Sequence, residues 1–270
     1  MFDFAIFNIL YPLYYHLPSL FYQLKKQKMN QPKIYFALLC AAISLLLISC
    51  GDATTSTSSE TDSTVNTNTA TNESNIITSP ENIVVVRYKV SDYAKWRALY
   101  DTRDSMRTAN GLHNLVLGRG VEDTSTILVA VKADDMAKAK NFTKDASLKS
   151  ALQKGHVTGT PKYNFTTVLY QDRSPNMSDL RAMTFFTVKD WDAWKTSFEA
   201  SRQTRTENGL TDRAYGHDVD DNRKVVLVVA INDSARAEAF WNSDLLKQRW
   251  AESGVVGEVE RFVYRVVQKY

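Results

Sequence analysis

From residue 82 onward, apolar side chains recur first at every second position and then at every third or fourth, and the switch happens repeatedly in the same order. Ile83–Val90 is β-branched and alternating. It reads as a strand with Val84, Val86 and Tyr88 facing helices and Val85, Arg87 and Lys89 facing the other way. Ser91 or Asp92 then supplies the N-cap of a helix carrying Tyr93, Trp96 and Tyr100 on one face, and Asn110-Gly111 stops it. Leu115–Arg119 and Ile127–Lys132 read as short strands joined by the polar loop at Glu122-Asp123. Asp134 or Asp135 caps a second helix through Ala137 and Phe142, continued after a break by Leu148 and Leu152. Tyr163–Tyr170 closes the set as a strand.

The pattern then repeats. Val90-Ser-Asp92-Tyr93-Ala-Lys-Trp96 is echoed by Val188-Lys-Asp190-Trp191-Asp-Ala-Trp194, an offset of 188 − 90 = 98 residues. The same offset relates Asn110-Gly111-Leu112 to Asn208-Gly209-Leu210, Gly118 to Gly216, Phe142 to Phe240 and Gly159 to Gly257. In the second copy, Trp191, Trp194 and Phe198 line the first helix, and Val225–Ile231 and Phe262–Val267 are the third and fourth strands. The expected fold class is α+β: two fused ferredoxin-like βαββαβ units, 81–171 and 178–270. Each sheet keeps helices on one face and an apolar opposite face, so the two units are expected to cover each other as a pseudo-dimeric α/β barrel.

Both copies carry Val-x-Asp, then Tyr or Trp, then Trp three residues on, with Asn-Gly-Leu following and Gly-containing turns before the last strand. In this the chain resembles the dimeric α/β-barrel proteins, and more narrowly the uncharacterised relatives of antibiotic-biosynthesis monooxygenases. The resemblance covers nearly all of 82–270. It implies a fold far better than a reaction, because such barrels include oxygenases, haem-degrading enzymes, isomerases and plain binding modules. Haem-degrading members use a helical histidine, and none is evident in either copy.

The N-terminal part has a different composition. Phe2 to Leu24 is apolar and aromatic but broken by Pro12 and Pro18, and 1–28 is read as a start placed too early or an extra apolar segment. Met29-Asn-Gln-Pro-Lys33, the apolar run Ile34–Ile48 and Leu47-Ile48-Ser49-Cys50 form a secretory signal over 29–49. Its end resembles the lipobox of bacterial lipoproteins. That resemblance implies cleavage before Cys50, a diacylglycerol thioether on Cys50 and acylation (palmitate) of the new amine, so the expected partner is a membrane. Gly51 in place of Asp favours the outer membrane of the cell envelope. Residues 50–80, rich in Ser, Thr and Asn, lack the apolar side chains that would offset ordering entropy and read as a disordered tether.

Charge and composition narrow the chemistry. The formal net charge of +3 is accounted for by Lys25, Lys26, Lys28 and Lys33 against Asp3, leaving residues 50–270 neutral, so a nucleic-acid partner is not expected. Both cysteines, Cys40 and Cys50, precede the repeats, which excludes a disulfide framework or thiol catalysis within them. His113, His156 and His217 have no metal-ligand spacing, and no metal, cofactor or catalytic residue is assigned. Asp92 and Asp190 are read as helix caps, and Trp96 and Trp194 as core anchors.

What remains is the space between the sheets. Alternation, with Arg119 corresponding to His217 and Leu117 to Tyr215, places Arg87, Arg119, Tyr215 and His217 as an asymmetric polar lining for a small organic ligand. The first functional reading is a lipid-anchored, non-catalytic binding or interaction module. The second is a cofactor-independent monooxygenase or isomerase acting on a small aromatic or polyketide-like substrate. The third is an architectural duplication with a filled barrel. An enzyme would show a proton-transfer group with a displaced pKa in the cavity.

Overall fold

The computed structural model describes residues 75–270. The expected early segment, signal and lipidation site Cys50 lie outside them, as does most of the tether. A two-residue strand, β1 (Ile76–Ile77), comes first. The first repeat follows as β2 (Glu81–Val90), α1 (Tyr93–Thr102), α2 (Asp104–Ala109), β3 (Leu112–Gly120), β4 (Thr126–Ala133), α3 (Met136–Phe142), α4 (Ala146–Lys154) and β5 (Val157–Asp172). The second is β6 (Leu180–Val188), α5 (Trp191–Ala200), α6 (Arg202–Glu207), β7 (Leu210–Asp218), β8 (Lys224–Ile231), α7 (Ser234–Trp241), α8 (Asp244–Glu252) and β9 (Val255–Lys269).

Local chemistry explains the boundaries. Asp92 and Asp190 accept from the backbone N–H groups of Lys95 and Ala193 at 3.1 and 2.8 Å, as helix N-caps should. Gly111 and Gly209 follow the helices with φ of +67° and +73°, left-handed conformations that an L side chain rarely adopts. Each helical stretch expected as one is two short helices; Arg103, at φ −103° and ψ 18°, breaks the first. Ile76 and Ile77, expected within the tether, pair instead with Asp172 and Gln171 on β5, where two β-branched side chains suit a strand.

All nine strands form one sheet in the order β1-β5-β2-β4-β3-β9-β6-β8-β7, and β7 pairs back onto β5 to close a barrel of eight strands. This closure removes the sheet edges of both units. It also explains why β5 and β9 are longer than expected. Residues 157–168 of β5 pair with β2 inside the repeat, while 166–171 pair with β7 of the other repeat. The two junctions share one register: Gly118 faces Val266 and Gly216 faces Val168, each residue being 98 positions from its counterpart. A pseudo-two-fold axis therefore relates the repeats.

The helices cover the outside. Trp96, Tyr100, Phe142 and Val84 form the helix-side core of the first repeat, and Trp194, Phe198, Phe186 and Phe240 belong to those of the second. Val85, Leu128, Val168, Met183, Val226 and Tyr264 form a separate apolar cluster within the barrel. No helix among the described residues is long and apolar enough to cross a membrane.

Candidate functional site

The inward face of β2 follows the expected alternation, since Val85 and Arg87 point into the barrel. On β3 and β7 it does not. The register slips between Asn114 and Val116, and between Asp212 and Ala214, so each strand carries a bulge that reverses the faces beyond it.

The bulge decides where three expected lining residues lie. Arg119 stacks its guanidinium over the Tyr93 ring at 4.1 Å and donates to the Thr124 carbonyl. His217 makes an edge-to-face contact with Trp191 at 4.8 Å, and its Nδ1 lies 2.9 Å from the Asp218 carbonyl oxygen. Tyr215 borders the barrel cavity, but its ring stacks on Tyr170 at 4.9 Å and its hydroxyl donates to Glu199, on the helix side. Of the four residues expected to line the barrel together, only Arg87 turns fully inward. One missed residue enters by the same device: Arg213, at the β7 bulge, faces the cavity.

Arg87 closes one end of the barrel. Its Nη2 pairs with Glu260 at 2.6 Å and its guanidinium lies over the rings of Phe185 and Phe262 at 4.8 and 5.3 Å. Lys162 also pairs with Glu260. Burial acts to raise the Glu260 carboxyl, but the bonds and charges of Lys162 and Arg87 outweigh it and hold the group below the ordinary carboxylate range.

The remainder of the interior encloses a cavity of about 310 Å³. Its walls are apolar, with Val85, Val116, Met183, Val226, Val228 and Val266 prominent. The cavities between helices and sheet measure only about 110 and 70 Å³, so of these three the barrel cavity is the one that approaches ligand size. Two larger hollows, of about 510 and 500 Å³, are more open to solvent.

The far end of the cavity is cationic. Arg181 is only 4% exposed; its Nη1 donates to the carbonyls of Ser178 and Leu180 at 2.7 and 2.9 Å, while its buried Nη2 has no hydrogen-bond partner. Arg213 donates to Asp172 at 3.2 Å and to the Ser174 carbonyl at 2.8 Å. Lys269 borders the same end; burial, followed by repulsion from Arg181 and Arg213, pushes its pKa below the ordinary lysine value. Tyr264 is paired across the sheet with Arg181, and burial pushes its phenol up to about 12 despite that cation. It stays protonated at neutral pH and is available as a donor.

A sequence signal for this end existed in the differences between the repeats. At the 98-residue offset, Arg181 stands where the first repeat has Ile83, Arg213 where it has Leu115, and Lys269 where it has Gln171. Matching positions reveal the fold, whereas the mismatches mark the polarised end. Among the described residues no group of His, Cys, Asp and Glu is arranged to hold a metal ion. His113 and His217 lie on β3 and β7, and His156 in the turn before β5, so none is helical.

No protein-family model matches the chain, and no curated protein is detectably similar to it in sequence. Solved structures do match. One described as an anthrone oxidase-like protein superposes with a TM-score of 0.50 at 15% identity, covering 72% of this chain and 95% of its own. An uncharacterised ferredoxin-fold protein related to antibiotic-biosynthesis monooxygenases, from Listeria monocytogenes, gives 0.42 at 10% identity, covering 71% and 97%. A monooxygenase-like protein from Listeria innocua gives 0.41 at 10% identity, covering 72% and 98%. The fold is that of the dimeric α/β barrels, here built within a single chain.

Proposed function

We propose that the barrel interior is a small-molecule site and that the chain acts there as a cofactor-independent monooxygenase or isomerase on a small aromatic or polyketide-like substrate. The observation that carries this reading is the mainly apolar cavity of about 310 Å³ ending in Arg181, Arg213 and Lys269. Chemistry of this kind begins by taking a proton from an acidic substrate, and a cationic end in an apolar enclosure stabilises the resulting anion. Lys269, which borders that end beside Arg181 and Arg213, is the group assigned to proton exchange in this reading. The description of one structural neighbour as anthrone oxidase-like agrees with it.

The second reading is a non-catalytic binding or interaction module, which the same apolar walls and cationic end support without any proton transfer. Oxygen uptake separates the two. The full chain is incubated with anthrone, without added metal or cofactor. Uptake above the buffer rate, lost in Met183→Trp (which narrows the cavity) and in Lys269→Gln, supports the enzyme. Uptake at the buffer rate, with the molecule bound and unchanged, supports the binding module.

We further propose that the chain is held at the cell envelope, in the outer membrane, by lipid on Cys50. The signal-like run and the Leu47-Ile48-Ser49-Cys50 sequence support this. Cys50→Ala is expected to move the protein from the membrane fraction to the soluble fraction; an unchanged distribution contradicts it.

A further inference from the structure

The cationic end of the barrel is a departure from the molecule's own symmetry. Three cations from the second repeat, Arg181, Arg213 and Lys269, occupy positions where the first repeat supplies Ile83, Leu115 and Gln171. Only one side-chain carboxylate among the cavity-lining residues answers them, Asp172, and it is taken by Arg213. Arg181 has no carboxylate within ion-pair distance among the described residues, although it is 96% buried by its 4% exposure. Its Nη2 is buried without a hydrogen-bond partner, and an unmatched buried charge of this kind is costly to keep. Tyr264, the cross-strand partner of Arg181, lines the same cavity. A buried cation and a protonated phenol therefore border one apolar space from paired positions of β6 and β9.

We infer that this end of the cavity is a carboxylate site and that the barrel's ligand is an apolar molecule bearing a single carboxylate. The carboxylate lies against the Arg181 side chain and takes the phenolic hydrogen of Tyr264, while Arg213 and Lys269 add their field. The hydrocarbon or aromatic body extends between Val85, Met183, Val226 and Val228 toward the end closed by Arg87. This deepens the reading of the barrel as a small-molecule site and rests on it.

The test uses two probes of nearly the same shape, 4-phenylbutyrate and 4-phenyl-1-butanol, titrated calorimetrically into the full chain. The acid is expected to bind on the order of tenfold more tightly than the alcohol, as a charge-assisted hydrogen bond in an enclosed site would give. Arg181→Ile, which installs the side chain of the first repeat, removes that preference and leaves the alcohol bound as before. Arg181→Lys keeps a charge without the planar fork and retains part of the preference, so the comparison survives if the isoleucine variant fails to fold. Equal binding of acid and alcohol by the parent chain, or undiminished acid binding by either variant, overturns the carboxylate site while leaving the cavity reading intact. Failure of both probes to bind overturns both.

Discussion

Lys162 and Glu260 occupy equivalent positions in the two repeats, 98 residues apart, and they pair with each other. A residue meets its own counterpart only next to a symmetry axis, so this ion pair marks the pseudo-two-fold of the barrel. Arg87 and Phe185 are also counterparts, 185 − 87 = 98, and the guanidinium of one covers the ring of the other. The carboxylate serves two cations of unequal burial: Lys162 is 56% exposed and Arg87 only 9%. Glu260→Gln is thus expected to cost about 1–2 kcal/mol, since it strands a buried guanidinium, whereas Lys162→Gln costs less than about 1 kcal/mol. Urea unfolding of the two variants checks the order.

The same carboxyl sets a pH dependence. Its folded pKa is lowered relative to the unfolded chain, so its contribution to stability is present above the unfolded value of about 4.3 and is lost as pH falls through the folded one. Glu81, bonded to Lys132, Gln171 and Arg173, is shifted in the same direction and contributes in the same window. Stability measured by urea midpoint should fall as the pH drops below about 4.3, and less steeply in Glu260→Gln. An identical pH profile in parent and variant would refute the assignment.

Arg205 and Asp212 form a buried two-pronged pair at 2.7 and 2.6 Å, with exposures of 8% and 3%. The first repeat solves the same problem differently. Arg107 pairs with Asp104 at 3.1 Å, and Asn114, the counterpart of Asp212, donates to that aspartate at 2.8 Å. Asp212→Asn alone should cost about 3 kcal/mol or more by leaving Arg205 unpaired. Adding Arg202→Asp, which copies Asp104, should recover at least half of the loss. A double-mutant cycle in thermal unfolding reads the coupling.

Gly216 sits at the closure between β7 and β5, where an added Cβ would overlap the Thr167 carbonyl oxygen and the Val168 backbone. Its counterpart Gly118 would instead meet the Tyr264 ring, a side chain bordering the cavity and not backbone. Gly216→Ala should therefore destabilise by about 3 kcal/mol and exceed Gly118→Ala. Equal losses in guanidinium unfolding would mean that the two junctions are not packed as described.

The repeat, the element order and the barrel were legible because they rest on redundant signals: paired aspartate caps, Asn-Gly stops and alternating β-branched runs, all stated twice. Arg87 was legible because β2 alternates without interruption. Arg119 and His217 were placed on the wrong face, and Tyr215 borders the cavity only with its hydroxyl turned to the helix side, because a bulge adds one residue to β3 and one to β7, and nothing in Asn114-Leu115-Val116 or Asp212-Arg213-Ala214 announces it. Arg181 and Lys269 escaped notice for a different reason. Comparison of the repeats favours positions that agree, and these are positions that differ. Closure of β7 onto β5 was also hidden, since strand length beyond Tyr163–Tyr170 depends on a partner from the other repeat.

The central claim is that the barrel interior holds a small organic molecule. Native mass spectrometry of the purified full chain, before and after incubation with a lysate extract, tests it most directly. The account predicts a retained small molecule in the parent chain and its absence from Met183→Trp, whose indole occupies the same space. A clean unliganded mass for both chains in both samples would contradict it and leave a barrel whose work is done on its outer surface.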